Sequence, residues 1–95
     1  MHQEFMNGFW KNTLIVRQEI GGLLSVIRHR QDNLTQKMVA SGTGISRRSL
    51  VEIENNRFGS IDIILRVYSF YVWMNFVTPK ERIEFERLLN RLWNF

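Results

Sequence analysis

Two adjacent arginines, Arg47 and Arg48, stand at the start of a short helix-forming stretch, directly after a glycine-containing turn. An arginine side chain can pair with O6 and N7 of guanine, and a helix in the major groove of DNA presents its first residues to base edges. Ser49 is short enough to reach a base or a phosphate. Glu52, one turn further on, could accept a hydrogen bond from cytosine or orient an arginine. The predicted base-reading residues are therefore Arg47, Arg48, Ser49 and Glu52.

A second set of polar residues surrounds this stretch and is predicted to contact DNA phosphates. Gln36 begins the preceding helix, where a side-chain amide and free backbone N–H groups suit an anion. Thr35 and Ser46 stand at the N-cap positions of the two short helices, and Lys37 adds a positive charge. The predicted phosphate contacts from this segment are Thr35, Gln36, Lys37 and Ser46. Each charged side chain could instead be an ordinary solvated surface group.

The elements that position these residues follow from helical periodicity. Apolar residues at i, i+3, i+4 and i+7, beginning at Ile20, predict a first helix over about 13–30. The stretch Thr78-Pro79-Lys80-Glu81 predicts the start of the last helix, because it combines an N-cap, a first-position proline and a capping-box glutamate. The other predicted helices span about 35–41, 46–55 and 61–74. The predicted fold class is all-α, with five helices in a single domain over 1–95 and an extended C-terminal helix.

Within that domain, residues 1–12 are an arm without a helical pattern, residues 13–76 form the core, and residues 78–95 form the C-terminal helix. Gly42 and Gly44 interrupt a helix-forming stretch, and each would cost about 1 kcal/mol inside a helix, so both are assigned to a turn. Ala40 is small where a second helix must cross it, and Gly44 follows four residues later, where a positive φ is easiest for glycine. This spacing is typical of two helices joined by a tight turn. A helical hairpin without a ligand would have the same pattern.

Residues 20 to about 72 resemble the lambda-repressor-like (Cro/XRE) family of helix-turn-helix proteins. The resemblance is carried by "LTQKMVASGTGIS" and "RRSLVEIENNR", with their Leu-Thr-Gln entry, Ala-to-Gly spacing and Ile-Glu-Asn exit. It implies a five-helix DNA-binding domain whose recognition helix begins at Arg47. Asn56 occupies the usual glycine position after this helix, and Asn tolerates the left-handed geometry needed there. The loop before Leu34 also differs in length from the family pattern.

The family resemblance implies roles for four further residues. Asn55 and Arg57 correspond to a second phosphate clamp after the recognition helix. Glu54 corresponds to a glutamate that pairs with an arginine of the first helix, here Arg28, so this pair is predicted to be structural. The segments "RRSL" and "RFGSIDIILRVYSF" most resemble the HipB-like antitoxin branch. Membership of that branch would imply a dimer that represses its own operon and binds a toxin.

The C-terminal third of the chain is predicted to form a symmetric homodimer. Helix four is apolar on more than one face, and a helix of this kind must be buried on several sides. The last helix carries an apolar stripe with an aromatic end, and the predicted interface residues are Phe85, Leu88, Leu89, Leu92 and Trp93. A two-fold dimer would bind a palindromic operator as a transcriptional repressor. A toxin, or another protein partner without any DNA, could cover the same surface.

Composition limits the remaining classes of function. The 95 residues contain 13 Lys and Arg against 9 Asp and Glu, and the net charge of +4 suits a polyanionic partner such as double-stranded DNA. No cysteine is present, and the two histidines lie far apart, so we expect no catalytic site, no metal site and no cofactor. His29 is expected in a loop. No signal peptide or membrane-spanning run is evident, so we expect a cytoplasmic protein without membrane contact.

Overall fold

The computed structural model describes the backbone of residues 2–55 and 60–93, and the side chains of 13–55 and 60–92. Five helices make up this part of the chain: α1 (His2–Arg30), α2 (Gln36–Thr43), α3 (Arg47–Glu54), α4 (Ile61–Trp73) and α5 (Pro79–Trp93). The described residues contain no strand, which confirms the all-α class. None of the helices in these ranges has both the length and the apolar composition to cross a membrane.

The first helix is longer than the sequence predicted, because it begins at His2 rather than near Thr13. Residues 2–12 show no apolar period, and for that reason the N-terminal arm was left without a secondary-structure assignment. They contain no proline, however, and extending an existing helix costs much less than nucleating a new one. A helix of this length measures about 43 Å, which accounts for most of the 49 Å longest dimension of the molecule.

Helix ends follow the capping residues that the sequence offers. The side chains of Thr35, Ser46 and Ser60 each accept a backbone N–H from the first turn of α2, α3 and α4. The capping box of α5 is confirmed in both directions. Thr78 N donates to Glu81 Oε1 over 3.0 Å, and Glu81 N donates to Thr78 Oγ1 over 3.2 Å.

The two glycines between α2 and α3 have different roles. Gly44 ends α2 in the left-handed conformation, with φ of 75°, as expected for a turn glycine. Gly42 lies inside α2, and its assignment to the turn was wrong. A Cβ at Gly42 would lie 2.7 Å from Cε1 of Phe70 on α4. The residue is small because an aromatic ring packs directly on the helix backbone.

The core forms around α1, which packs on α3, α4 and α5, while α2 packs on α3 and α4. Its fully buried apolar side chains include Val16, Ile20, Leu24, Ile27, Val39, Leu50, Ile53, Ile64, Val67 and Tyr71. The closest approach involves α1 and α3, where a Cβ at Gly21 would overlap the carbonyl oxygen of Ile53. The backbones of α1 and α3 are therefore in direct contact.

The apolar stripe of α5 packs within its own chain, so Phe85 and Leu88 were wrongly placed in the predicted dimer interface. Phe85 and Leu88 are each 1% exposed, and Leu89 and Leu92 pack against the same core. The side chain of Trp93 lies outside the described residues. α5 runs antiparallel to α1, because Arg30 pairs with Glu81 at one end and Arg91 with Glu19 at the other. α1 packs along α5 and covers part of the surface that had been assigned to a second subunit.

Candidate nucleic-acid interface

The first turns of α2 and α3 meet the last turn of α1 around one open groove. Its volume is about 450 Å³, and we call it the basic groove. α3 contributes Arg47, α2 contributes Gln36 with its cap Thr35, and α1 contributes Arg28 and His29. The remaining lining residues are Gln31, Asn33 and Leu34, so no carboxylate lines the groove. The fold thus brings together predicted site residues from both short helices.

Arg28 is held at the base of the groove by a two-point ion pair with Glu54. Its Nε donates to Oε2 over 2.7 Å, and a terminal nitrogen donates to Oε1 over 2.9 Å. The other terminal nitrogen donates to the carbonyl oxygen of Leu34 over 3.0 Å. Both side chains are largely buried, and the hydrogen bond to Glu54 raises the pKa of Arg28. The structure therefore contains the ion pair that the resemblance implied, and it joins α1 to α3.

Gln36 and His29 extend this network on either side of the ion pair. Gln36 Nε2 donates to Glu54 Oε1 over 3.0 Å, so its amide is anchored while one N–H remains for another acceptor. His29 lies in the last turn of α1, and its placement in a loop was wrong. Its Nδ1 lies 2.8 Å from the carbonyl oxygen of Ser25, which assigns the proton to Nδ1. Nε2 can then accept from Arg28 over 3.2 Å.

The two arginines of α3 are exposed and have few contacts. Arg48 Nε donates to Glu52 Oε1 over 3.3 Å, with the Arg48 side chain 89% exposed. An exposed pair of this kind contributes little to stability, so a competing acceptor can displace it. Arg47 has no ion pair with any residue that the structure describes. Both guanidinium groups are therefore available to an external anion or base edge, and Glu52 lies where it can orient Arg48.

The small polar residues predicted to contact phosphate serve first as helix caps. Ser46 Oγ accepts from Ser49 N over 3.0 Å and donates to Ser49 Oγ over 2.8 Å. Thr35 Oγ1 accepts from Met38 N over 3.1 Å. Lys37 and Asn55 are exposed but do not line the basic groove. Arg57 lies outside the described residues.

The basic groove has the chemistry of an oxyanion site. The N-terminal backbone N–H groups of α2 supply donors and a partial positive charge, and Arg47 supplies a full one. Glu54 neutralises Arg28, so the net charge of the groove comes mainly from Arg47 and the helix end. Across the described ranges, no group of three or more histidine and acidic side chains could hold a metal ion.

One ion pair near this region could not be found from the sequence. Arg30 donates to both carboxylate oxygens of Glu81, over 2.5 and 2.6 Å, and to the carbonyl oxygen of Phe76 over 2.7 Å. The hydrogen bond from Arg30 lowers the pKa of Glu81 to about 2. The partners lie 51 residues apart, and the capping box already explained the presence of Glu81.

Comparison with known proteins identified no relative of this chain. No family model matches the chain, and neither does any curated protein or solved structure. The family resemblance of residues 20–72 therefore rests on the motif residues alone, and any function must be argued from the groove and its arginines.

Proposed function

We propose that this protein is a sequence-specific DNA-binding regulator of transcription, with α2 and α3 as its helix-turn-helix and α3 as the recognition helix. One observation carries the proposal. Arg47 extends from the first turn of α3 into a groove without carboxylates that also contains the first turn of α2. A guanidinium that no described carboxylate pairs with, beside free helix N–H groups, is suited to a polyanion whose backbone and bases lie side by side.

The groove suggests a division of labour between the two helices. A phosphate would lie at the N-terminus of α2, with Gln36 as a donor held in place by Glu54. That contact would fix the position of α3 on the duplex. Arg47 and Arg48 would then read guanine bases in the major groove, assisted by Ser49 and by Glu52 beside Arg48. Further contacts to the DNA backbone would come from Thr35, Ser46, Lys37, Asn55 and Arg57.

A repressor acting as a homodimer is the form of this function that the physics favours. A single eight-residue α3 contacts few base pairs, and a two-fold dimer doubles that number. The operator would be an approximate palindrome with half-sites roughly 34–36 Å apart, about one helical turn. Repression follows when such a site overlaps a promoter.

A HipB-like antitoxin is a second candidate, and one observation favours it. The outer face of α4 exposes a tryptophan, Trp73, which is 86% accessible. A large exposed aromatic residue beside apolar grooves suits a protein partner, as an antitoxin requires in addition to DNA. A pure interaction module, a protein that binds only other proteins, would have the same exposed surface, but the basic groove would then have no ligand.

The test is selection of DNA sites from a random pool, followed by binding measurements over a range of salt concentrations. We expect an enriched palindromic site and an affinity that falls steeply with salt. A double variant, Arg47→Ala with Arg48→Ala, should lose the selective binding. The matched control is Lys80→Ala with Arg87→Ala, which removes the same charge from exposed positions on α5 that line none of the grooves.

Two results would contradict the proposal. The first is a failure to enrich any sequence. The second is an equal loss of affinity in both double variants, because DNA binding would then depend only on the overall charge of the protein. Salt-insensitive binding to a protein without DNA affinity would support the interaction module instead.

A further inference from the structure

The outer face of α4 carries two exposed apolar side chains, Leu65 and Trp73, on either side of Ser69. Of the large apolar side chains that the structure describes, Trp73 is the most exposed, at 86%, and Leu65 on the same helix is 38% exposed. Ser69 lies midway between them in sequence, four residues from each. We call this surface the Trp73 face, formed by Asp62, Leu65, Arg66, Ser69 and Trp73. An exposed tryptophan is the side-chain type that most often anchors a protein–protein interface.

Two open grooves flank the Trp73 face. The first, about 540 Å³, lies between α4 and α2, with Leu65 and Phe70 on its walls and Gly42 at its edge. The second, about 400 Å³, lies between α4 and α5 and is lined by Tyr68, Val72, Arg82 and Glu86. Ser69 and Trp73 line both grooves. A wedge-shaped aromatic side chain therefore stands directly beside a cavity of a size that can receive one.

We infer that the Trp73 face binds a second copy of this chain, with the two α4 helices antiparallel about a two-fold axis near Ser69. Trp73 and Leu65 lie four residues on either side of Ser69, which is about 6 Å along the helix. The two-fold rotation therefore brings Trp73 of each copy onto the groove beside Leu65 of the other. The contact is self-complementary, as an isologous dimer requires. Ser69 is small enough for the helices to approach closely.

The charges of the Trp73 face favour a second copy over a nucleic acid. The first groove has one acid and one base, Asp62 and Arg66, paired to each other over 3.2 Å. The second groove likewise has one of each, Arg82 and Glu86. Each groove is thus charge-balanced, so an identical surface meets no net repulsion, and no cationic excess attracts a polyanion.

This inference builds on the proposed function, because it supplies the two-fold symmetry that a palindromic operator needs. It also differs from the interface predicted on α5, where Phe85 and Leu88 are buried within the same chain. The experiments use the full chain without DNA, so the two proposals fail separately. A chain that dimerises through this face without selecting DNA refutes the function alone, and a monomer that selects DNA refutes the dimer alone.

The first experiment is sedimentation equilibrium over a micromolar concentration series. We expect a reversible dimer of the 11.4 kDa chain. Trp73→Ala should weaken self-association at least about tenfold, as truncation of a buried aromatic anchor does. Ile83→Ala is the matched control, because Ile83 is 67% exposed on α5 and lines neither groove. Both variants should keep the wild-type melting temperature when measured as monomers.

The second experiment locates the axis by cross-linking. The chain contains no cysteine, so Ser69→Cys introduces a single thiol. Near a two-fold axis that thiol meets its own copy within disulfide range. We expect mild oxidation to convert Ser69→Cys into a covalent dimer and to leave Ile83→Cys monomeric. A monomeric wild-type chain, equal weakening by both alanine variants, or cross-linking of Ile83→Cys but not of Ser69→Cys would overturn the inference.

Discussion

Arginines occur as close pairs in two regions of this molecule, at the end of α1 and at the start of α3. Arg28 and Arg30 each make two hydrogen bonds to one carboxylate, and each also donates to a backbone carbonyl. At the start of α3, Arg48 makes a single contact of 3.3 Å with a neighbour on its own helix. Arg47 has no ion pair with any described residue.

The difference arises from what tertiary structure brings to each helix end. Glu54 comes from α3 and Glu81 from α5, so the arginines of α1 join three helices. No other described helix brings an acid to the first turn of α3, and no carboxylate lines the groove there. The same side chain is thus structural where a distant carboxylate meets it, and available for binding where none does.

Removing Glu54, the acid that pairs with Arg28 of α1, should produce the largest effect on stability. Glu54→Ala leaves the guanidinium of Arg28 buried without a counter-charge, which costs about 3–5 kcal/mol of unfolding free energy. Thermal and urea unfolding without DNA would measure it. The double variant Arg28→Ala with Glu54→Ala should lose less than the sum of the two single variants. An unchanged melting temperature for Glu54→Ala would mean that the pair is not structural.

Removing an arginine from α3 should leave the fold intact and change recognition instead. Arg47→Ala or Arg48→Ala should weaken binding to the preferred DNA site by about 1–3 kcal/mol and relax base preference at one position. Gln36→Ala should weaken all sequences to a similar extent, because a phosphate contact carries no base information. Competition between specific and random DNA measures both. Equal losses of affinity for specific and random DNA would mean that the arginine contacts a phosphate and not a base.

The Arg30–Glu81 pair predicts a moderate dependence of stability on pH. The pKa of Glu81 is about 2 in the folded chain against 4.5 ordinarily. Its contribution is therefore complete above pH 4.5 and disappears as the pH falls towards 2. We expect a loss of about 1–2 kcal/mol over this window, reduced from the full linkage value because Arg30 is partly solvated. Arg30→Ala should flatten that part of the curve, and an unaltered curve would contradict the assignment.

The smallest effect should come from Glu52, which forms the weak contact at the start of α3. Glu52→Gln removes an exposed i,i+4 pair, so stability should fall by less than about 0.5 kcal/mol. Affinity for random DNA should rise slightly, because Arg48 is released and a negative charge is lost. Loss of discrimination at a cytosine position would instead identify Glu52 as a base-reading residue.

Local signals explain why the starts of α2, α3, α4 and α5 were predictable, whereas that of α1 was not. Thr35, Ser46, Ser60 and the Thr78–Glu81 box act within one turn, and their residue types alone specify the geometry. The Arg28–Glu54 pair was found only because the motif resemblance supplied a long-range contact. Nothing comparable indicated that α5 folds back along α1, so the buried stripe of Phe85 and Leu88 was assigned to another subunit. Periodicity identifies an apolar face but not its partner.

Individual hydrogen bonds and packing contacts between helices could not be predicted from the sequence for the same reason. Gln36 was recognised as the first residue of a helix, but its bond to Glu54 depends on how α2 lies across α3. Gly42 was assigned to the turn because glycine disfavours helices. Its packing against Phe70 involves two residues 28 positions apart, and only the folded arrangement reveals that a side chain would not fit.

The contact between Gly21 and the carbonyl oxygen of Ile53 has a consequence for how this protein can change over generations. Any side chain at Gly21 would displace α3, so the angle of that helix relative to α1 tolerates no gradual adjustment. Residues 47, 48 and 52 on the outer surface of the same helix are exposed or half-exposed and have no role in the core. Under the proposed function, new DNA preferences would therefore arise by exchange of these outer side chains, while Gly21 would be retained.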